Sequence, residues 1–232
     1  MEKSAHDSTC HFTDGRLCTR TALPTIEPEL VVGTHKLTFA NGRNAQFHVP
    51  AGYDKRVLAP LVVIFHGASG QDGGAVAIAT EWADRHGAFL IAQKSIASTW
   101  DILRGGYGPD VAFIRFLLDW TMQRYAINPS RIGIAGFSDG GSYALSVGLM
   151  NGDLFHDILA FSAGFARPLS RTGLPRIFIA HGKDDPILPV ECGRRIAQQL
   201  SKDGYDVQYH EFNGGHYVPR HIAEAAMNRF VS

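Results

Sequence analysis

The chain has 232 residues, 45% of them apolar, 10% aromatic and 19% charged, with 22 basic and 22 acidic side chains that cancel. Few charges and many aromatics exclude intrinsic disorder, and the zero balance leaves no basic excess for nucleic acid or an anionic membrane. No run of about 18 apolar residues occurs, so no membrane insertion is expected, and a chain of this size buries roughly 70% of its unfolded surface in one core.

The first thirty residues lack the apolar stretch of about 7–15 residues that a secretory signal needs. Three cysteines, Cys10, Cys18 and Cys192, make no disulfide framework, so a reduced, cytoplasmic protein is expected, with a Cys10–Cys18 pair open if the segment meets oxidant. His6, Cys10, His11 and Cys18 have zinc-ligand chemistry, but their spacing matches no zinc finger, and no metal or cofactor is expected. Residues 1–33 read as a flexible arm, and 34–232 as a single domain.

From residue 34 strand and helix patterns alternate. Thr34–Ala40 and Asn44–Val49 flank Asn41-Gly42, a hairpin signal. Leu61–Phe65 is a continuous apolar run, as in a buried parallel strand. Gly74–His86 reads as a helix and Ala88–Ala92 as a strand. Asp110–Tyr125 is a helix led by Pro109. Arg131–Ala135 is a strand and Asp139–Leu149 a helix. Ile158–Ser162 and Arg176–Ala180 are strands. Val190–Lys202 is a helix closed by Gly204, and its Cys192, Ile196 and Leu200 share a stripe that places Cys192 in the core. Asp206–Phe212 is a strand and Pro219–Val231 the last helix. The order predicts an α/β fold: about eight strands, mostly parallel, with helices on both faces and functional loops at the carboxyl ends of the strands.

Gly136-Phe137-Ser138-Asp139-Gly140 joins a strand to a helix in the pattern G-x-S-x-G. Such a turn lifts the serine hydroxyl clear of the sheet, and its glycines avoid collision with neighbouring backbone. As a plain helix start, Ser138 would be only an N-cap. A serine nucleophile needs a base, and the base an orienting acid. After later strands come Asp185, in His181-Gly182-Lys183-Asp184-Asp185-Pro186, and His216, in Gly214-Gly215-His216. The order Ser138, Asp185, His216 is the one this chemistry uses on such a sheet. Asp185 is preferred to Asp184 because Pro186 holds the preceding residue extended. The backbone N–H groups of Ala68, in His66-Gly67-Ala68-Ser69-Gly70, and of Asp139 are the candidate oxyanion donors. His66 reads as a structural hydrogen-bonding residue.

Together these motifs resemble the α/β-hydrolase fold over residues 34 to 231. They are most similar to the phospholipase/carboxylesterase family of small serine esterases, which includes acyl-protein thioesterases. Polyhydroxybutyrate-depolymerase-like and feruloyl-type esterases are near relatives. The resemblance implies a Ser138–Asp185–His216 triad, Ala68 and Asp139 as oxyanion donors, and no cofactor. The loop HGASGQDGG departs from the family's commoner H-G-x-G-D form, which bears on the acyl groups accepted.

The connection from Ser162 to Arg176 has no room for a lipase-like lid, so small or short-chain esters are expected. Trp100 and Tyr107, in the rim loop 98–108, either wall the substrate pocket or pin that loop to the core. Asp101 and Arg104 are a possible pair within it. The expected protein is a carboxylesterase acting on small-molecule esters, as a monomer or homodimer. Thioesters or lysophospholipids are the alternative substrates, and a hydrolase-fold receptor for a small ligand is the non-enzymatic alternative.

Overall fold

A computed structural model describes residues 12–19, 24–27, 30–68 and 73–232. The Asn41-Gly42 turn joins strands β1 (Gly33–Thr38) and β2 (Asn44–Val49), which pair antiparallel from Gly33 opposite Val49 to Thr38 opposite Asn44. There follow β3 (Ala59–Phe65), α1 (Gly73–His86), β4 (Phe89–Gln93), α2 (Pro109–Met122), β5 (Ile127–Phe137), α3 (Asp139–Met150), β6 (Asp157–Phe161), β7 (Arg176–Gly182), α4 (Val190–Lys202), β8 (Val207–Phe212) and α5 (Arg220–Val231).

The strands form one sheet in the order β1-β2-β4-β3-β5-β6-β7-β8. β2 meets β4 antiparallel, and every later neighbour is parallel. Leu61, Val63 and Phe65 of β3 enter one apolar cluster, while Val62 and Ile64 enter the other. Helices cover both faces, so both side-chain sets of β3 are buried, which is why its sequence runs apolar instead of alternating. β5 carries Ser138 just past its carboxyl end, and β7 and β8 deliver Asp185 and His216 to the same edge of the sheet.

Two expectations change. Part of the supposed flexible arm is docked on the end of α3. Leu17 is only 4% exposed, its N–H donates to Asn151 Oδ1 at 2.7 Å, and Asn151 Nδ2 donates to the Gly15 carbonyl at 2.8 Å. Arg16 adds an ion pair with Asp153 at 2.8 Å. A buried asparagine from distant sequence meets backbone polar groups that a solvated tail would leave to water. Cys192, in turn, is half-buried rather than in the core. Gly193 takes the tight position on that face, where a Cβ would sit 2.8 Å from His181 Nδ1.

His6, Cys10 and His11 lie outside the described residues. Among the described residues no cluster of metal-ligating side chains forms, and no helix is long and apolar enough to cross a membrane. Cys18 is disulfide-bonded, a state that oxidising compartments favour over a reducing cytosol.

Candidate active site

The turn from β5 into α3 puts Ser138 at φ 58°, ψ −120°. A residue with a side chain held there is strained, and such strain persists only where the surroundings over-determine it. They do so here. A Cβ on Gly136 would sit 2.1 Å from the Gly140 carbonyl oxygen, and one on Gly140 would sit 2.3 Å from that of Phe65. Ser138 N–H donates to the Phe161 carbonyl of β6 at 2.8 Å, and the Ser138 carbonyl accepts from Ser142 N–H at 3.0 Å. The side chain is left largely buried yet within reach of His216.

His216 comes from the loop after β8, and its Nε2 is 2.9 Å from Ser138 Oγ. Its Nδ1 is 2.6 Å from Asp185 Oδ2. With a carboxylate at Nδ1, that nitrogen carries the proton and Nε2 is free to accept from the serine hydroxyl. Asp185 Oδ1 accepts the N–H groups of Ile187 and Leu188, both at 2.9 Å. Burial raises the affinity of this carboxyl for its proton, but the hydrogen bonds from Leu188 N–H, His216 and Ile187 N–H outweigh it and hold the group below the usual carboxylate range. Asp184 is exposed, and its backbone N–H donates to the Gly214 carbonyl at 3.0 Å.

A residue outside the sequence-derived set supports the acid. His181, at the end of β7, is fully buried. Its Nε2 lies 2.8 Å from the Leu188 carbonyl and 3.5 Å from Asp185 Oδ2. Its Nδ1 has no partner, so Nε2 carries the proton and donates to Leu188. The ring thereby braces the turn whose N–H groups grip Asp185. Its signal in sequence was a histidine ending an apolar strand four residues before the acid.

The backbone of Gly67 packs over Ser138: a Cβ there would lie 3.3 Å from Ser138 Cβ. Ala68 follows in an exposed turn. Asp139 opens α3, where first-turn N–H groups have no partner within the helix. His66 is buried and engages Gly67 and Ser95.

Trp100 and Tyr107 do not wall an open pocket. Trp100 is fully buried. Its Nε1 donates to the His66 carbonyl at 2.9 Å, and its indole stacks on Tyr143 of α3 with centroids 4.8 Å apart. Tyr107 is 7% exposed and donates its hydroxyl to the Arg167 carbonyl at 2.7 Å. Both rings fasten the rim loop, Trp100 against the aromatic face of Tyr143 in α3 and Tyr107 through the Arg167 carbonyl. Asp101 pairs with backbone instead of Arg104: its Oδ2 accepts from Gly108 and Asp110 N–H at 2.9 and 3.0 Å. Two large apolar side chains, Ile187 and Tyr217, are exposed near Asp185 and His216.

The model of the phospholipase/carboxylesterase family matches residues 112–230, which include Ser138, Asp185 and His216. Among curated proteins, the chain is 34% identical to acyl-protein thioesterase 1 of Gibberella zeae over 109 residues, 42% of this chain and 46% of that protein. It is 24% identical to a probable feruloyl esterase C of Aspergillus niger over 181 residues, 75% of this chain and 65% of that protein. The chain thus spans less than two thirds of the length of either relative. Among solved structures, S-formylglutathione hydrolase of Staphylococcus aureus superposes with a TM-score of 0.71 at 16% identity, covering 87% of this chain and 99% of that one. A ferulic acid esterase of Anaeromyces mucronatus gives 0.67 at 16% identity, covering 93% and 97%. At these identities the superpositions establish the α/β-hydrolase fold.

Proposed function

The chain belongs to the phospholipase/carboxylesterase family, and from that premise we propose that it is a serine hydrolase that cleaves carboxylic esters through an acyl-enzyme. The observation that carries this reading is the unbroken hydrogen-bonded series from Ser138 through His216 to Asp185. Ser138 Oγ attacks the ester carbonyl while His216 Nε2 takes its proton. The tetrahedral oxyanion is met by the N–H groups of Ala68 and Asp139, each worth about 3 kcal/mol in such a role. His216 then delivers the proton to the leaving alcohol. Water, activated by the same nitrogen, releases the acid and restores Ser138. Asp185 keeps the His216 proton on Nδ1 and stabilises the imidazolium that forms in each half-reaction.

Small or short-chain acyl esters are the proposed substrates. The β6–β7 connection from Ser162 to Pro175 contains no helix or strand, so this connection supplies no lid element. Thioesters are the second reading, supported by the similarity to an acyl-protein thioesterase. Steady-state rates on matched oxygen esters and thioesters separate the two. A nitrophenyl ester panel with Ser138→Ala as control tests the hydrolase reading itself: loss of turnover in the variant supports it, and retained turnover removes it. A receptor for a small ligand would have no use for the strained serine or for the proton relay behind it.

A further inference from the structure

We propose that the segment from Ser95 to Trp100, which follows β4, is a clamp that presets both oxyanion donors, with Thr99 and Trp100 as positioning residues. The proposal rests on the ester-hydrolase reading above and adds how its oxyanion pocket is held.

The first donor is fixed through the far side of its own peptide plane. Ser95 N–H donates to His66 Nε2 at 3.1 Å. That nitrogen therefore carries no proton, and the one on Nδ1 goes to the Gly67 carbonyl at 2.7 Å. The Gly67 carbonyl and the Ala68 N–H belong to one trans peptide unit, so they point in opposite directions. Holding the carbonyl toward His66 aims the Ala68 N–H away from it. The preceding carbonyl, that of His66, is held in turn by Trp100 Nε1–H at 2.9 Å. Two successive peptide units are thus fixed beside Ser138.

The second donor is fixed through its side chain. Thr99 Oγ1 donates to Asp139 Oδ2 at 2.7 Å. Asp139 owns the second oxyanion N–H, yet it also carries a carboxylate, whose charge would oppose a nearby developing oxyanion. The Thr99 hydroxyl keeps that carboxylate on the side of the loop.

The clamp is itself anchored. Ile96 N–H and Asp101 N–H donate to the two oxygens of the buried Asp110 at 3.0 and 3.1 Å. Arg43 pairs with Asp110 at 2.7 Å. Trp100 is wedged between Phe65 and Tyr143, each ring centroid 4.8 Å away. One segment therefore ties the loop after β3 to the start of α3, the two elements that supply the donors. Misplacement by about 1 Å can cost on the order of 10²-fold in rate, so partial loosening should cost roughly tenfold.

The test uses Thr99→Val, which keeps volume, and Trp100→Phe, which is smaller and leaves a small buried cavity; each removes one donated hydrogen bond. The readouts are kcat and KM on nitrophenyl acetate, thermal unfolding, and the affinity of phenylboronic acid, whose tetrahedral serine adduct places an oxygen in the oxyanion pocket. Each variant should lose roughly tenfold in kcat with KM within about twofold, and should bind the boronate correspondingly more weakly. Thr99→Ser should restore both values. Leu103→Ala, at an exposed position in the same loop, should match the parent. If Trp100→Phe unfolds early, Thr99→Val carries the test alone. Unchanged kcat in Thr99→Val, or a loss confined to KM with unchanged boronate affinity, overturns the clamp while leaving the hydrolase reading intact. A parent protein that neither turns over esters nor binds the boronate overturns that reading, and the clamp with it.

Discussion

Asp185 Oδ2 lies 2.6 Å from His216 Nδ1, across 31 residues of sequence. The other oxygen of the same carboxylate is gripped by two backbone N–H groups, so its direction is set from both ends. Asp184 points to solvent one residue earlier. Asp185→Asn should therefore lower kcat by on the order of 10³–10⁴, as loss of the orienting acid does in serine proteases, and Asp184→Asn by less than about tenfold. Steady-state kinetics beside thermal unfolding checks this. Inactivity in Asp184→Asn with a nearly normal Asp185→Asn would reassign the acid.

Acyl-chain preference follows from the open β6–β7 connection. Across nitrophenyl esters of two to sixteen carbons, kcat/KM should peak at the short end. A maximum at long chains would mean that some other element shelters an acyl tail.

The strand–helix order, and the meeting of Ser138, His216 and Asp185 in one hydrogen-bonded series, were legible in sequence because each rests on local chemistry: an apolar run, a glycine-flanked serine, an acid before a proline. What sequence did not reveal depends on partners far along the chain. Trp100 and Tyr107 lie in the loop after β4, on the sheet edge that carries the site, and Tyr143 and the Arg167 carbonyl show why both are buried instead. Leu17 is a lone apolar residue in a mostly polar stretch near the terminus, too little pattern to mark a docked segment, and it is Asn151 and Asp153, far along the chain, that explain the docking of residues 15–17. Cys192 fits the helical stripe by spacing, yet the close approach of His181 to Gly193 turns that face by one residue.

Asp101 gives a pH dependence with a definite sign. Burial, and then the nearby charge of Asp110, raise its pKa above the ordinary carboxylate value. The native state thus holds this proton more tightly than the unfolded chain. Ionising the group costs native stability as pH rises from about 4 through the raised value. Asp101→Asn keeps an oxygen for the Gly108 and Asp110 N–H groups but has nothing to ionise. In denaturant titrations the stability of the parent relative to Asp101→Asn should fall as pH is raised from about 4 toward neutrality. A difference that is flat or rises over that window would contradict the assignment.

The docked N-terminal segment should contribute to the fold. Leu17→Ala removes a side chain that is 4% exposed and packed into the main apolar cluster. It should cost about 2–3 kcal/mol of unfolding free energy while leaving kcat of the folded protein unchanged. Chemical denaturation with unaltered stability would show that this contact is peripheral.

Whether Ser138 is the nucleophile and His216 its base is read most directly by peptide mass spectrometry after treatment with a fluorophosphonate, in the parent, in Ser138→Ala and in His216→Ala, beside turnover of nitrophenyl acetate. A single adduct should form on Ser138 in the parent and none in Ser138→Ala. Labelling should be strongly slowed in His216→Ala, and turnover should fall by at least about 10³-fold in both variants. An adduct on another residue, or turnover retained in Ser138→Ala, would contradict Ser138 as the nucleophile.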